Sequence, residues 1–237
     1  MKLQLTIFLI SLLFTTSCFV NVTGVDGNGN IIEKSVPVNG FNSLDISGSF
    51  DIILKQGNSE SVTIRGDENL MEYIITDVKS GRLEIGSERN LDPTGDIEIT
   101  VTFTELSQID ISGACDLISG QELNLDELRM NCSGAVETDL VLNVDRFVFE
   151  GSGASEIDLT GTARKANFEI SGAGDIDAFD FVIEDCVTEV SGAASANLNV
   201  TSTLDLQASG AASIRYKGGA AIVNQNLSGA ASVKSVK

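Results

Sequence analysis

Apolar and polar residues alternate with a period of two along most of the chain, and the alternation keeps one offset from a repeated Ser-Gly pair. The glycines of that pair are Gly48, Gly113, Gly134, Gly153, Gly172, Gly192, Gly210 and Gly229, and from Gly113 onward they stand 21, 19, 19, 20, 18 and 19 residues apart. Two residues before each glycine the column reads Ile46, Ile111, Cys132, Gly151, Ile170, Val190, Ala208 and Leu227. Four after it stand Ile52, Leu117, Thr138, Ile157, Ile176, Ala196, Ile214 and Val233, while the position between, three after the glycine, is polar throughout. Period-two alternation marks strands with one buried face. Its recurrence at a fixed interval predicts that equivalent strands stack on one another, because one copy alone cannot bury its apolar side.

The expected fold is therefore all-β: a parallel right-handed β-helix, or β-solenoid, with coils of about 19–21 residues. A circuit of that length at roughly 3.3 Å per residue measures ~60 Å, enough for three short sides and their corners. The Ser-Gly-small column is assigned to the corners, where glycine permits a bend and small neighbours permit close stacking. A leucine-rich repeat has a similar period, and Leu123, Leu125, Leu128 and Asn131 imitate part of its signature. Later copies do not repeat that signature, and no helical pattern separates the strands. Before the regular repeats, Ser61–Gly66 and Arg82–Gly86 read as strands. Asp67 is placed to cap a short helix through Glu68–Ile74, giving a small β-α-β insert that covers one end of the stack. The domain is expected over residues 31–237, irregular in 31–110 and regular in 111–237.

The first residues carry a different pattern. Lys2, an apolar run from Leu3 to Phe14, and Thr15-Thr16-Ser17 before Cys18 read as an export signal over residues 1–18. The run is too short to span a bilayer. The small residues ahead of Cys18 match a bacterial lipobox, with Cys18 as the lipidated first residue, although Thr15 stands where that motif has Leu. Ordinary cleavage and release of a soluble protein is the alternative. Residues 19–30 are then a polar tether. Cys115, Cys132 and Cys186 fall in apolar positions, and an odd number in an exported chain argues for buried free thiols over a disulfide framework.

Composition narrows the chemistry. The chain of 237 residues has no His and no Trp, so no imidazole triad or imidazole-based metal site exists within it. A formal charge of −19, from 34 acidic and 15 basic residues, excludes nucleic acid as a partner. The acids form columns: Asp51, Asp116, Glu137, Glu156 and Asp175 three after the glycine, and Asp139, Asp158 and Asp177 five after it. Stacked carboxylates about 5 Å apart repel by roughly 1 kcal/mol per pair in water. Either the stripe is simply solvated or it binds Ca²⁺ through oxygen ligands, with Asp116, Glu137, Glu156, Asp175, Asp139, Asp158 and Asp177 as the candidate set. From Leu206 to Lys237 there is no acid, only Arg215, Lys217, Lys234 and Lys237. That basic end either orients the protein toward an anionic glycan or headgroup, or keeps a strand edge soluble.

Weaker motifs fall away. Asp26-Gly27-Asn28-Gly29-Asn30 imitates a calcium loop but has Pro37 where the bidentate Glu belongs. Asp45 and Asp51 can be drawn as a glycosidase dyad, as can many pairs in a chain this acidic. No Walker pattern follows any Ser-Gly copy. The copies are too poor in Thr for an ice-binding lattice.

Several segments together resemble a known bacterial family. Gly27-Asn28-Gly29-Asn30-Ile31-Ile32, Val36-Pro37-Val38-Asn39-Gly40-Phe41 and Leu44-Asp45-Ile46-Ser47-Gly48-Ser49-Phe50-Asp51 are similar to the opening of the head GIN domain. Gln56-Gly57, the segment Asp67–Tyr73 and the Ser-Gly-Ala repeats continue the match from Gly27 to Lys237. That family, labelled "putative auto-transporter adhesin", implies β-solenoid-like domains on exported, often lipid-anchored proteins of Bacteroidetes-type bacteria. It implies no catalytic residues.

Three functions compete. The first is a non-enzymatic, adhesin-like module of the cell envelope, held to the membrane only by its lipid, with an envelope protein or glycan as partner. It faces the periplasm or the cell surface, or is soluble if unlipidated. The second is a structural spacer or assembly protein. The third is a polysaccharide-processing β-helix enzyme, disfavoured because the outward columns are acidic and only Tyr73 and Tyr216 offer Tyr platforms.

Overall fold

The computed structural model describes residues 24–236. The export signal and Cys18 lie outside these residues. The described chain is mostly strand. Its first half contains β1 (Val25–Asp26), β2 (Ile31–Val36), β3 (Ser43–Gln56), β4 (Ser61–Asp67), β5 (Ile74–Lys79), β6 (Arg82–Ser87), β7 (Leu91–Asp92) and β8 (Glu98–Phe103). Longer strands follow: β9 (Gln108–Ser119), β10 (Leu123–Gly172), β11 (Asp175–Gly192) and β12 (Ser195–Gly210). The chain closes with β13 (Ser213–Lys217), β14 (Ala221–Leu227) and β15 (Ser232–Ser235). The fold is all-β, and its large sheet is an open path rather than a closed barrel.

From β3 onward every pairing toward the C-terminus is parallel and keeps the repeat in register. Gly48 lies opposite Gly113, and Gly113 opposite Gly134. Gly172 lies opposite Gly192, and Gly192 opposite Gly210. All eight repeat glycines have positive φ. The reason is close stacking as much as bending: a Cβ on Gly134 would fall 2.2 Å from the carbonyl oxygen of Gly113. No side chain fits there, so the column is glycine.

The core runs up the inside of the stack. Ile46, Ile111 and Ile170 before the bend, and Ile52, Leu117, Ile157 and Ile176 after it, are all buried. Five phenylalanines are fully buried, and Phe147 meets Phe168 and Phe181 edge to face at 5.8 and 6.1 Å. Gly151 interrupts the apolar column, and the Phe149 ring fills its place, 2.6 Å from where a Cβ would be. Cys115, Cys132 and Cys186 are buried and free. Burial pushes the thiols of Cys132 and Cys186 up to about 12, which makes them packing groups rather than nucleophiles.

The β-α-β insert expected near the N-terminus does not form. Between β4 and β5 there is a single 3-10 turn, Glu68–Leu70, and Asp67 makes no side-chain cap. Its carboxylate instead accepts hydrogen bonds from the Gly29 amide at 2.6 Å, the Thr94 amide at 2.9 Å and the Thr94 hydroxyl at 3.0 Å. A capping side chain spent elsewhere leaves a segment too short to nucleate a helix. Of the tether expected over residues 19–30, the described part is not free: β1 pairs with β7 and the Gly27 amide donates to the Asp92 carbonyl at 2.8 Å.

Candidate functional site

The parallel register turns every sequence column into a row of side chains at strand spacing, ~4.8 Å. The candidate acidic columns form such rows. Asp51, Asp116 and Glu137 are register neighbours, as are Glu156 with Asp175 and Asp158 with Asp177. Asp139 faces Ile118 in the same register. Except for half-buried Asp51, these acids are exposed. Burial, then the neighbouring Asp96, Asp116 and Glu98, raises the Asp51 carboxyl above its ordinary range. The rows do not gather into a cage: among the described residues, no three carboxylates or thiols converge closely enough to hold a metal ion. Asp45 and Asp51, the imagined dyad, belong to different rows on either side of the bend at Gly48.

A different pair of columns builds a groove, and the reading of the sequence passed over it. Immediately before each glycine stands a serine: Ser47, Ser112, Ser133, Ser152, Ser171, Ser191, Ser209 and Ser228. Three before it stands a carboxylate or carboxamide: Asp45, Asp110, Asn131, Glu150, Glu169, Glu189, Gln207 and Asn226. Both positions point outward, because the residue between them belongs to the core column. They line a cavity of about 370 Å³ from Asp45 to Ser171. A second hollow of about 240 Å³ continues the same rows from Glu189 to Ser228. The uninterrupted acid-or-amide column was available in the sequence, but net charge drew the reading to the columns after the bend.

The groove changes along its length. At the N-terminal end its acids are paired: Arg82 Nη1 lies 2.8 Å from Asp110 and 3.3 Å from Asp45, and Arg129 donates to Glu150 at 2.7 Å. Asp110 also accepts from Gln108 and Asn131. Farther along, Glu169 and Glu189 have no ion pair among the described residues. Three of the serines, Ser112, Ser133 and Ser191, donate long bonds of 3.3–3.5 Å to the carbonyl of the neighbouring copy's core residue, Ile46, Ile111 and Ile170. A hydroxyl used this way keeps its oxygen as an acceptor. The groove thus repeats a hydroxyl beside a carboxylate or carboxamide at each rung.

Another face satisfies itself instead. Asn143 donates to Asn124 at 2.9 Å and accepts from Thr162 at 3.0 Å, and Arg164 clamps Asp145 with two nitrogens. The Arg164 guanidinium holds the Asp145 carboxyl below the usual carboxylate range. Polar groups already paired with one another lock adjacent copies together and offer little to a ligand.

A model of the family described as "Putative auto-transporter adhesin, head GIN domain" matches residues 40–220. The chain belongs to this family. Among solved structures, a putative adhesin from Bacteroides fragilis is 23% identical with a TM-score of 0.82, the match covering 90% of this chain and 100% of that one. A putative adhesin from Parabacteroides merdae is 27% identical with a TM-score of 0.67, covering 90% and 99%. A putative lipid binding protein from Parabacteroides distasonis is 22% identical with a TM-score of 0.74, covering 91% and 100%. No curated protein matches the chain. The head GIN domain in this chain is adhesin-like by family. Among its described residues, no helix is long and apolar enough to cross a membrane.

Proposed function

We propose that this head GIN domain is a non-catalytic binding module of the bacterial envelope, laying an extended, hydroxyl-rich glycan along the serine and acid-or-amide groove. The observation that carries the reading is the row itself: eight rungs of a serine beside a carboxylate or carboxamide, in line along one face. A polymer with a repeating pattern of hydroxyl donors can meet a protein with a repeating pattern of acceptors at every rung. Many weak contacts then add along one chain. The scaffold is read as a right-handed β-solenoid, supported by the parallel register that returns each Ser-Gly bend to its neighbour. Export and lipidation at Cys18 would place it on a membrane through the lipid alone.

Titration of the purified protein with a panel of neutral and amino-bearing polysaccharides tests the reading, beside two variants. Glu169→Lys with Glu189→Lys removes acceptors from the groove, and Asp158→Lys with Asp177→Lys makes the same charge change on the acidic rows. The groove variant is expected to lose at least about tenfold in affinity, or 1.4 kcal/mol, while the other stays near the parent. Equal loss in both variants, or no binding by any glycan, overturns the proposal. For the anchor, Cys18→Ser is expected to move the protein from the membrane to the soluble fraction.

A further inference from the structure

The last described copy exposes what earlier copies bury. Among the described residues, strand β14 pairs only with β12, and β15 only with β13, which leaves the outer edge of both without a partner there. All of β14 is exposed. Its apolar residues occupy columns that are sealed one copy earlier. Leu204 is 0% exposed and its register partner Ile222 is 36% exposed, while Ala208 at 5% faces Leu227 at 41%. Val223 adds a further 62% exposed side chain. This is the profile of an interior copy that lacks the next one.

The opposite end carries edges on the same two faces. Strand β6 lies on β3 in the columns before the bend, and β5 is the edge beyond it. Strand β8 lies on β3 in the columns after the bend, followed by β4 and then the edge strand β2. By register, β14 falls in the columns of β6, and β15 in those of β8. One copy placed below another along the stack brings β14 to β5 and β15 to β2. Charge favours the same join. Residues 24–106 hold fifteen acids and six bases, whereas Leu206–Lys237 holds four bases and no acid. Arg215 and Lys217 are held near that end over the Phe179 ring, at 5.3 and 5.0 Å. Lys234, in an outward column, is the one charged residue on β14 and β15.

We infer that the C-terminal end of the stack docks a second copy of this chain, head to tail, through the partner's β2 and β5 edges. Unpaired strand edges with apolar neighbours are templates for pairing, and each copy of a repeat stack draws its stability from the copies beside it. Joining two C-terminal ends would instead bring two basic regions together.

Sedimentation velocity over a concentration series tests this. The parent protein is expected to show species that grow beyond a dimer and recede at high salt. Ile222→Lys with Val223→Lys blocks the C-terminal edge, and Ile31→Lys with Glu33→Lys blocks β2. Each variant alone is expected to be a monomer with an unchanged circular dichroism spectrum. Mixed, they are expected to form a one-to-one dimer that grows no further, because each retains the edge that the other has lost. A parent that stays monomeric, a β2 variant that dimerises alone, or a mixture without dimer overturns the inference.

Discussion

At the N-terminal end, β3 is followed outward by β6 and β5 on one face and by β8, β4 and β2 on the other, several of them antiparallel. The buried Asp67 carboxylate ties Gly29 and Thr94 across that end. At the C-terminal end, the last copy repeats the parallel register and stops, leaving Ile222 and Leu227 in contact with water. The same columns therefore carry different energetic weight at different heights. An inward side chain is worth what the copies above and below it provide, and the last copy has only one neighbour.

The sharpest break in this comparison is a methyl group in the glycine column. Gly134→Ala puts a Cβ against the Gly113 carbonyl at φ 116°, within a run of stacked backbones that cannot yield singly. It is expected to cost about 4 kcal/mol in denaturant unfolding. Gly229→Ala, at the same position of the last copy, is expected to cost less than about 1 kcal/mol, because that copy has no further copy to hold it. Equal costs would contradict the contrast.

The apolar column gives a second pair. Ile170 is 2% exposed and Leu227 is 41% exposed in equivalent positions. Ile170→Ala is expected to lose about 3 kcal/mol, and Leu227→Ala under about 0.5 kcal/mol, in the same assay.

The Asp67 clamp at the N-terminal end makes a pH-dependent prediction. Hydrogen bonds from the Thr94 amide first, and from Gly29, hold the Asp67 carboxyl below its ordinary range. A depressed carboxyl stabilises the fold above its unfolded value and loses that effect as pH falls through the folded one. Asp67→Asn is thus expected to lower the Tm by a few degrees at neutral pH. The gap should shrink as the medium is acidified below the carboxylate range; a constant gap would assign the loss to packing.

Asp51 works in the opposite sense and more weakly. Its raised carboxyl opposes folding where it is ionised, and that opposition is relieved as pH falls through its folded value. Asp51→Asn is expected to raise the Tm by about 1 °C at neutral pH and to leave it unchanged in acid. A fall at neutral pH would contradict repulsion from Asp96, Asp116 and Glu98.

Much of this architecture was legible because a repeat reports its own register. Ser-Gly spacing, alternation and the apolar columns all point to stacked strands, and each copy checks the others. The irregular N-terminal part had no such check. Asp67 followed by Glu68, Asn69, Leu70 and Met71 looks like a capped helix, and only the distant Gly29 and Thr94 reveal that the carboxylate is spent on a tertiary clamp. Likewise Val25 and Asp26 look like tether until Leu91 and Asp92 are seen beside them. The groove was present as two columns of letters. That these two outward rows line hollows is seen only once the copies are stacked in register.

Amide hydrogen exchange read copy by copy tests the asymmetric stack most directly. Run on dilute protein in high salt, where copies are separate, it should show strong protection from Gln108 to Gly210. Protection should persist through Ser61–Asp67 and Glu98–Phe103 at the N-terminal end, with rapid exchange over Ala221–Ser235. Uniform protection to the C-terminus, or fast exchange within the central copies, would contradict a stack built of parallel repeats, tied down at the N-terminal end and loose at the C-terminal one.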